Sequence, residues 1–280
     1  MLVLPEMHLD DQDDNTLQCP DTSTIRYRAY FFGPFRLFLD DQPLGEPWRR
    51  NKAKSLLKWF LLNPGKFYSA EQLIDLFWAD FPPDAAMLNL HVSMHHLRHV
   101  LEPSMTSHQK SSFLHRTKHN FYWFELDPSW WVDVISISHL YATAREFDQR
   151  GEYDKAVSGY RQIVTHCGRG FLPEDIYEKA FTPYLRQYEC AYMAALEQLI
   201  HIAVYQHAFN EVLMYSHCVL ALDPYCESAM SAVVNAYLQQ GNVAGAICKL
   251  NDFLRLLKQD LNIGPSQDLL LLREKLMAAC

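Results

Sequence analysis

From about residue 137 onward the chain is helical by periodicity, and part of that helix pattern repeats. HAFNEVLMYSHCVLAL from His207 aligns with GNVAGAICKLNDFLRL from Gly241 at an offset of 34 residues. Phe209 then falls on Val243, Val212 on Ala246, and Val219-Leu220 on Phe253-Leu254. That offset is the tetratricopeptide period. GEYDKAVSGYRQIV from Gly151 carries the same pattern, out of phase with the other two. Helix pairs of this kind bury their apolar faces only by stacking on a neighbour, and the stack leaves a concave surface for a protein partner. A plain packed bundle is the alternative reading of the same periodicity.

The segment before it obeys a different rule. YRAYFFGPFRLFLD from Tyr27 is aromatic and β-rich, broken at Gly33-Pro34 and followed by turn residues, which predicts a small antiparallel sheet. A helix is expected from Asn51 to Leu62, with Ala53, Leu56, Leu57, Phe60 and Leu61 inward and Arg49, Arg50, Lys52, Lys54 and Lys58 crowding its start and outer face. Ser69 with Gln72 three residues on is a capping-box pattern that opens a second helix. Asp84 can cap a third, which runs to Leu101. FLHRTKHNFYWFEL from Phe113 alternates as a hairpin, with Arg116, Lys118 and His119 near its turn. At ~100–200 residues per domain, the chain's 280 residues divide into two domains.

On the third helix Met87, Leu90, Met94, Leu97 and Leu101 fall at 3-4-3-4 spacing and predict the buried stripe. The opposite side then presents Leu88, Asn89, Val92, His95, His96 and His99, with His91, Ser93 and Arg98 on the flanks. Such a face suits a DNA major groove: Asn can read adenine bidentately and Val can touch a thymine methyl.

Charge supports an anionic partner for this segment alone. The net charge of the chain is −8, but residues 1–25 carry −6, residues 26–126 carry +4 and residues 127–280 carry −6. Seven of the thirteen histidines also lie in 26–126. The acidic start, residues 1–25, lacks periodicity and is expected to be a disordered tail.

Sheet, three helices and hairpin in this order make a winged helix. The stretches YFFGPFRLFLDDQPL, LLKWFLLNPGKFYSAEQLIDLFWADFPPDAAMLNLHVSMHHLRHVL and FYWFEL resemble the OmpR-type winged-helix DNA-binding domain of the Streptomyces antibiotic regulatory protein (SARP) family. WVDVISISHLYATA, GRGFLPEDIYEKAF, VLALDPYCESAM and GNVAGAICKLNDFLRLLKQDLNIGPSQDLLLL resemble the bacterial transcriptional activator domain that follows it there. The fold class implied is an α+β winged helix (26–126) followed by an all-α, tetratricopeptide-like helical-repeat domain (127–280).

The resemblance also implies roles. Asn89, Val92 and His96 would face bases. Ser93, His95 and Arg98 would contact phosphate, aided by Arg49, Arg50 and Lys52 on the basic face, and Arg116 and Lys118 would serve the wing. The partners implied are double-stranded DNA, RNA polymerase and a second copy of the chain. One departure stands out. Family recognition helices carry arginines just before the LR pair, where this chain has His95 and His96. Phosphate affinity rests on charge neutralisation, so weaker DNA binding near neutral pH, or dependence on a partner, is expected.

Other classes fit worse. There is no G-x-G-x-x-G, P-loop, G-x-S-x-G or H-E-x-x-H, so no catalytic site and no cofactor is expected. Seven scattered cysteines without C-x-x-C suit a reducing compartment, and no membrane-spanning or signal pattern is found, so the cytoplasm is expected. His91, His95 and His99 form an i, i+4, i+8 stripe of zinc-binding type, but no Cys or carboxylate completes a set nearby in sequence, and no metal is assigned. A protein–protein adaptor whose winged helix no longer binds DNA is the competing function.

Overall fold

The computed structural model describes residues 24–44, 51–106 and 109–278. The acidic tail expected over 1–25 lies outside them apart from its last two residues, and so do Arg49 and Arg50. The architecture is an α+β winged helix followed by an all-α helical-repeat domain, and the chain forms two compact units.

The first unit opens with β1 (Tyr27–Tyr30), β2 (Arg36–Leu39) and β3 (Gln42–Pro43). β1 and β2 pair antiparallel, Tyr27 opposite Leu39, as the sequence predicts. On the other side of β1 lies a strand that the sequence does not announce: β7 (Trp130–Val132) pairs parallel with β1, giving the order β3-β2-β1-β7. The unit therefore runs past residue 126, as far as Ser138, and it also takes in Arg169–Tyr188.

Between the strands lie α1 (Asn51–Leu62), α2 (Ala70–Phe77) and α3 (Pro83–Leu101). The expected inward residues of α1 are fully buried. Ser69 caps α2 as its sequence predicts: Ser69 Oγ accepts from Gln72 N at 3.1 Å and Ser69 N donates to Gln72 Oε1 at 2.9 Å. Asp84 does not cap α3, which starts one residue earlier on Pro83, a residue whose missing N–H costs nothing in the first turn. β5 (Leu114–Arg116) and β6 (Phe121–Phe124) form the wing hairpin, and β4 (Tyr68–Ser69) extends it to a sheet ordered β4-β6-β5. Asn120, in the left-handed region at φ 59°, turns the hairpin.

The second unit holds α5 (Tyr153–Cys167), α7 (Phe209–Leu222), α8 (Glu227–Gln239), α9 (Val243–Leu256) and α10 (Gln267–Ala278), together with the C-terminal parts of α4 (Asp133–Gln149) and α6 (Thr182–Tyr205). α7 and α9 begin at Phe209 and Val243, which reproduces the 34-residue offset. Their stacking with α8 encloses Val233, Val234, Ala246, Leu250 and Phe253, and Leu269, Leu272 and Leu276 of α10 close that cluster.

Close packing also explains Gly159 in mid-helix, where Ala would ordinarily be favoured by ~1 kcal/mol. A Cβ there would stand 2.8 Å from Ala144 Cβ, inside any real contact distance. Gly159→Ala is expected to force α4 and α5 apart and to cost about 1–3 kcal/mol. Thermal unfolding followed by far-ultraviolet circular dichroism checks the sign. A stabilised variant would mean that helix propensity outweighs the clash.

Candidate nucleic-acid interface

α3 packs on α1 and α2 with Ala86, Leu90, Ser93, Met94, Leu97 and Leu101 buried. The expected stripe is thus rotated slightly about the helix axis. Met87 is only half-buried, and the small side chains Ala86 and Ser93 widen the buried face in its place. Ser93 is 2% exposed, so its hydroxyl is not offered to a phosphate on this surface, which corrects the role inferred for it. The open crest of α3 is Leu88, His91, His95 and His99, one residue per turn, with Leu88 64% exposed. His91, read from the sequence as a flank, belongs to that crest. Asn89, Val92 and His96 are half-buried along one side of it, and Arg98 is half-buried too.

The wing stands beside this helix. Arg116 donates from Nε and Nη2 to Asn120 Oδ1 at 3.2 and 2.5 Å, which fixes its guanidinium on the hairpin turn. The same guanidinium lies 5.5 Å from the centre of the Tyr122 ring. Burial pushes the Tyr122 hydroxyl pKa up, against the pull of Arg116 and Arg98. Burial also lowers Arg98, with the charge of Arg116 adding to it. His91 is held below the ordinary imidazole value by burial first and by Arg116 second. The charge of Arg116 on the hairpin therefore acts on both His91 and Arg98 of α3. Lys118 is exposed at the hairpin tip.

The basic outer face of α1 is spent differently. Lys52 Nζ lies 2.9 Å from Glu178 Oε2 and 5.7 Å from the centre of the Phe77 ring. Lys58, whose side chain is 2% exposed, pairs with Glu174 at 2.8 Å and with Asp175. Lys54 Nζ is 4.0 Å from Glu174. Glu174 also accepts from Phe35 N at 2.9 Å. Burial alone would raise the Glu174 carboxyl, but the bonds from Lys58 and Phe35 outweigh it and hold the group below its usual range.

The acidic clasp is anchored by its own backbone. Gly33 N donates to Gly170 O at 2.7 Å and Leu172 N to Phe31 O at 3.0 Å, and the Phe31 and Phe171 rings stack. Leu172 takes a left-handed φ of 42° to turn Glu174 and Asp175 onto α1. The sequence places Lys52 among the phosphate contacts because it stands among other cations. In the fold Lys52 pairs with Glu178 while its side chain stays 37% exposed. Nothing local in the sequence announces this, because the partners lie more than a hundred residues apart.

Comparisons with known proteins follow the same lines. No curated protein matches this chain. Among solved structures it is similar to Mycobacterium tuberculosis EmbR in complex with a low-affinity phosphopeptide, at TM-score 0.70 and 17% identity over 91% of this chain. That match spans 65% of the EmbR chain, just under two thirds of its length. At this identity the likeness is one of fold. Among the described residues no helix is long and apolar enough to cross a membrane. The sequence itself matches the bacterial transcriptional activator domain over residues 132–277, more than half its length. The chain belongs to the bacterial transcriptional activator domain family, a family of transcription factors rather than enzymes, with a winged helix ahead of that domain.

Proposed function

We propose that this protein is a sequence-specific DNA-binding transcriptional regulator, an activator of the SARP type that works with RNA polymerase through its tetratricopeptide-like helical repeats. It acts in the cytoplasm as a homodimer on half-sites one helical turn apart. The observation that carries the reading is the convergence of Arg98 and Arg116 beside the open crest of α3, next to His91. In this reading α3 enters the major groove of an OmpR-type domain. Asn89, Val92 and His96 read bases, while His95, Arg98, Arg116 and Lys118 meet phosphate and the flanking groove. Arg49 and Arg50 would add phosphate contacts from the segment before α1.

Selection of genomic fragments with the purified chain, then binding to the enriched fragment across a salt series, tests this. The five Arg and Lys side chains of each protomer make about ten phosphate contacts in a dimer, and affinity should fall roughly a hundred-thousandfold between 50 and 200 mM salt. Asn89→Ala should relax sequence preference. Arg116→Ala should weaken all sequences evenly and reduce the salt slope by about one per protomer.

The adaptor reading draws on a specific observation, the neutralisation of Lys52 and Lys58 by Glu178, Glu174 and Asp175. It predicts no enrichment and no salt-dependent binding.

A further inference from the structure

On the crest of α3, His95 and His99 stand one helical turn apart and both are exposed. Their ring centres are 4.4 Å apart, and Nε2 of one lies 3.2 Å from Nε2 of the other. Two nitrogens bound to one zinc ion at ~2.05 Å and the tetrahedral angle are separated by about 3.3 Å. The pair thus already holds the nitrogen–nitrogen separation of a bidentate chelate, on a rigid helix. Among the described residues no group of three or more His, Cys, Asp or Glu side chains converges as a metal site. The pair therefore supplies two donors and leaves the other positions to water.

We propose that His95 and His99 bind a divalent transition-metal ion of the zinc class, and that the bound ion excludes DNA from the recognition helix. Imidazole is the preferred nitrogen ligand of such ions. Because i and i+4 imidazoles converge only when the turn between them is helical, the ion binds the folded chain in preference to the unfolded one and stabilises it. Exclusion has a steric and a chemical cause. A hydrated ion fills the space above the crest, and the ligated nitrogens can no longer donate to phosphate. The metal site stands on the helix geometry alone; the exclusion rests on the DNA reading proposed above.

The test is calorimetric titration of the full chain, freed of metal, with Zn2+, beside His95→Gln and His99→Gln. These variants keep a polar side chain of similar length and do not lower helix propensity, while removing one donor. One equivalent of Zn2+ fewer in each variant is the expected result. Equal uptake by the wild type and both variants would overturn the site, whatever the outcome of fragment selection. Where selection yields a fragment, Zn2+ at ten times its own Kd should weaken wild-type DNA binding about tenfold and leave His99→Gln unaffected. Wild-type DNA binding that does not respond to Zn2+, or an equal response in His99→Gln, would overturn the exclusion.

Discussion

Replacing Lys58 with methionine should destabilise the winged-helix unit by about 3 kcal/mol, the lower end of what breaking a buried ion pair costs. The ammonium is almost wholly removed from water, and its attraction to Glu174 and Asp175 offsets that desolvation. Methionine keeps most of the packing volume, so the loss is chiefly electrostatic. It strands two carboxylates against α1 and the Phe35 ring, where Lys58 had stood 5.0 Å from the ring centre. Glu174 is a third exposed, so water screens part of the stranded charge, which is why the lower end of the range applies. All six tryptophans lie before residue 139. Denaturation followed by tryptophan fluorescence therefore reports this unit alone.

The variant Lys58→Met/Glu174→Gln/Asp175→Asn should recover part of the loss, since no carboxylate is stranded, while Lys54 loses the partner it had at 4.0 Å. A single variant as stable as wild type would show that the clasp contributes nothing. DNA measurements separate this role from a phosphate contact. If Lys58 is structural, the salt slope of Lys58→Met at temperatures where it is folded equals that of wild type, whereas Arg116→Ala lowers it.

The clasp also marks the limit of what the residues disclose in order. Local signals are legible. The Ser69–Gln72 capping box, the apolar spacing of α1 and the alternation of the hairpin each depend on neighbours a few residues away, and each is found where expected. Helix α3 is legible to within part of a turn. Its register differs because Ala86 and Ser93, which a hydrophobic stripe ignores, are small enough to let α3 settle closer on its neighbours. Strand β7 escapes the sequence because WWV is three residues long and shows no alternation, all of it buried. Lys52 and Lys58 read as solvated cations because their partners follow more than a hundred residues later. The activator domain match from 132 and the compact unit to Ser138 overlap for the same reason: residues 132 and 133 serve the first sheet as well as the start of α4.

Asp133 shows what that overlap costs. From the sequence it reads as an ordinary acid at a helix start. In the fold it is 1% exposed, and Oδ2 accepts from Phe31 N at 2.7 Å and Phe32 N at 3.1 Å, tying the end of β1 to α4. Oδ1 has no hydrogen-bond partner among the described residues. Burial drives the carboxyl pKa from 3.8 up to about 7, against the opposing pull of the backbone N–H bonds. The folded state therefore holds this proton more tightly than the unfolded state does. The associated stability is complete below pH 3.8 and is lost as pH rises through about 7. Each tenfold gain in proton affinity is worth ~1.36 kcal/mol, so the loss is of order 4 kcal/mol.

Asp133→Asn keeps an oxygen for both N–H groups and removes the buried charge. It should be more stable than wild type at pH 8, equal to it near pH 4, and nearly flat between. Asp133→Ala should be less stable than Asp133→Asn at every pH, by about 2 kcal/mol, because Phe31 and Phe32 lose their acceptor. Tryptophan-monitored denaturation at pH 5, 6, 7 and 8 gives the profiles, and the wild-type minus Asp133→Asn difference isolates this one group from the other titrating residues. Parallel profiles would mean that the carboxylate is as well solvated by its backbone donors as by water, and that the junction between β1 and α4 carries no proton-linked cost.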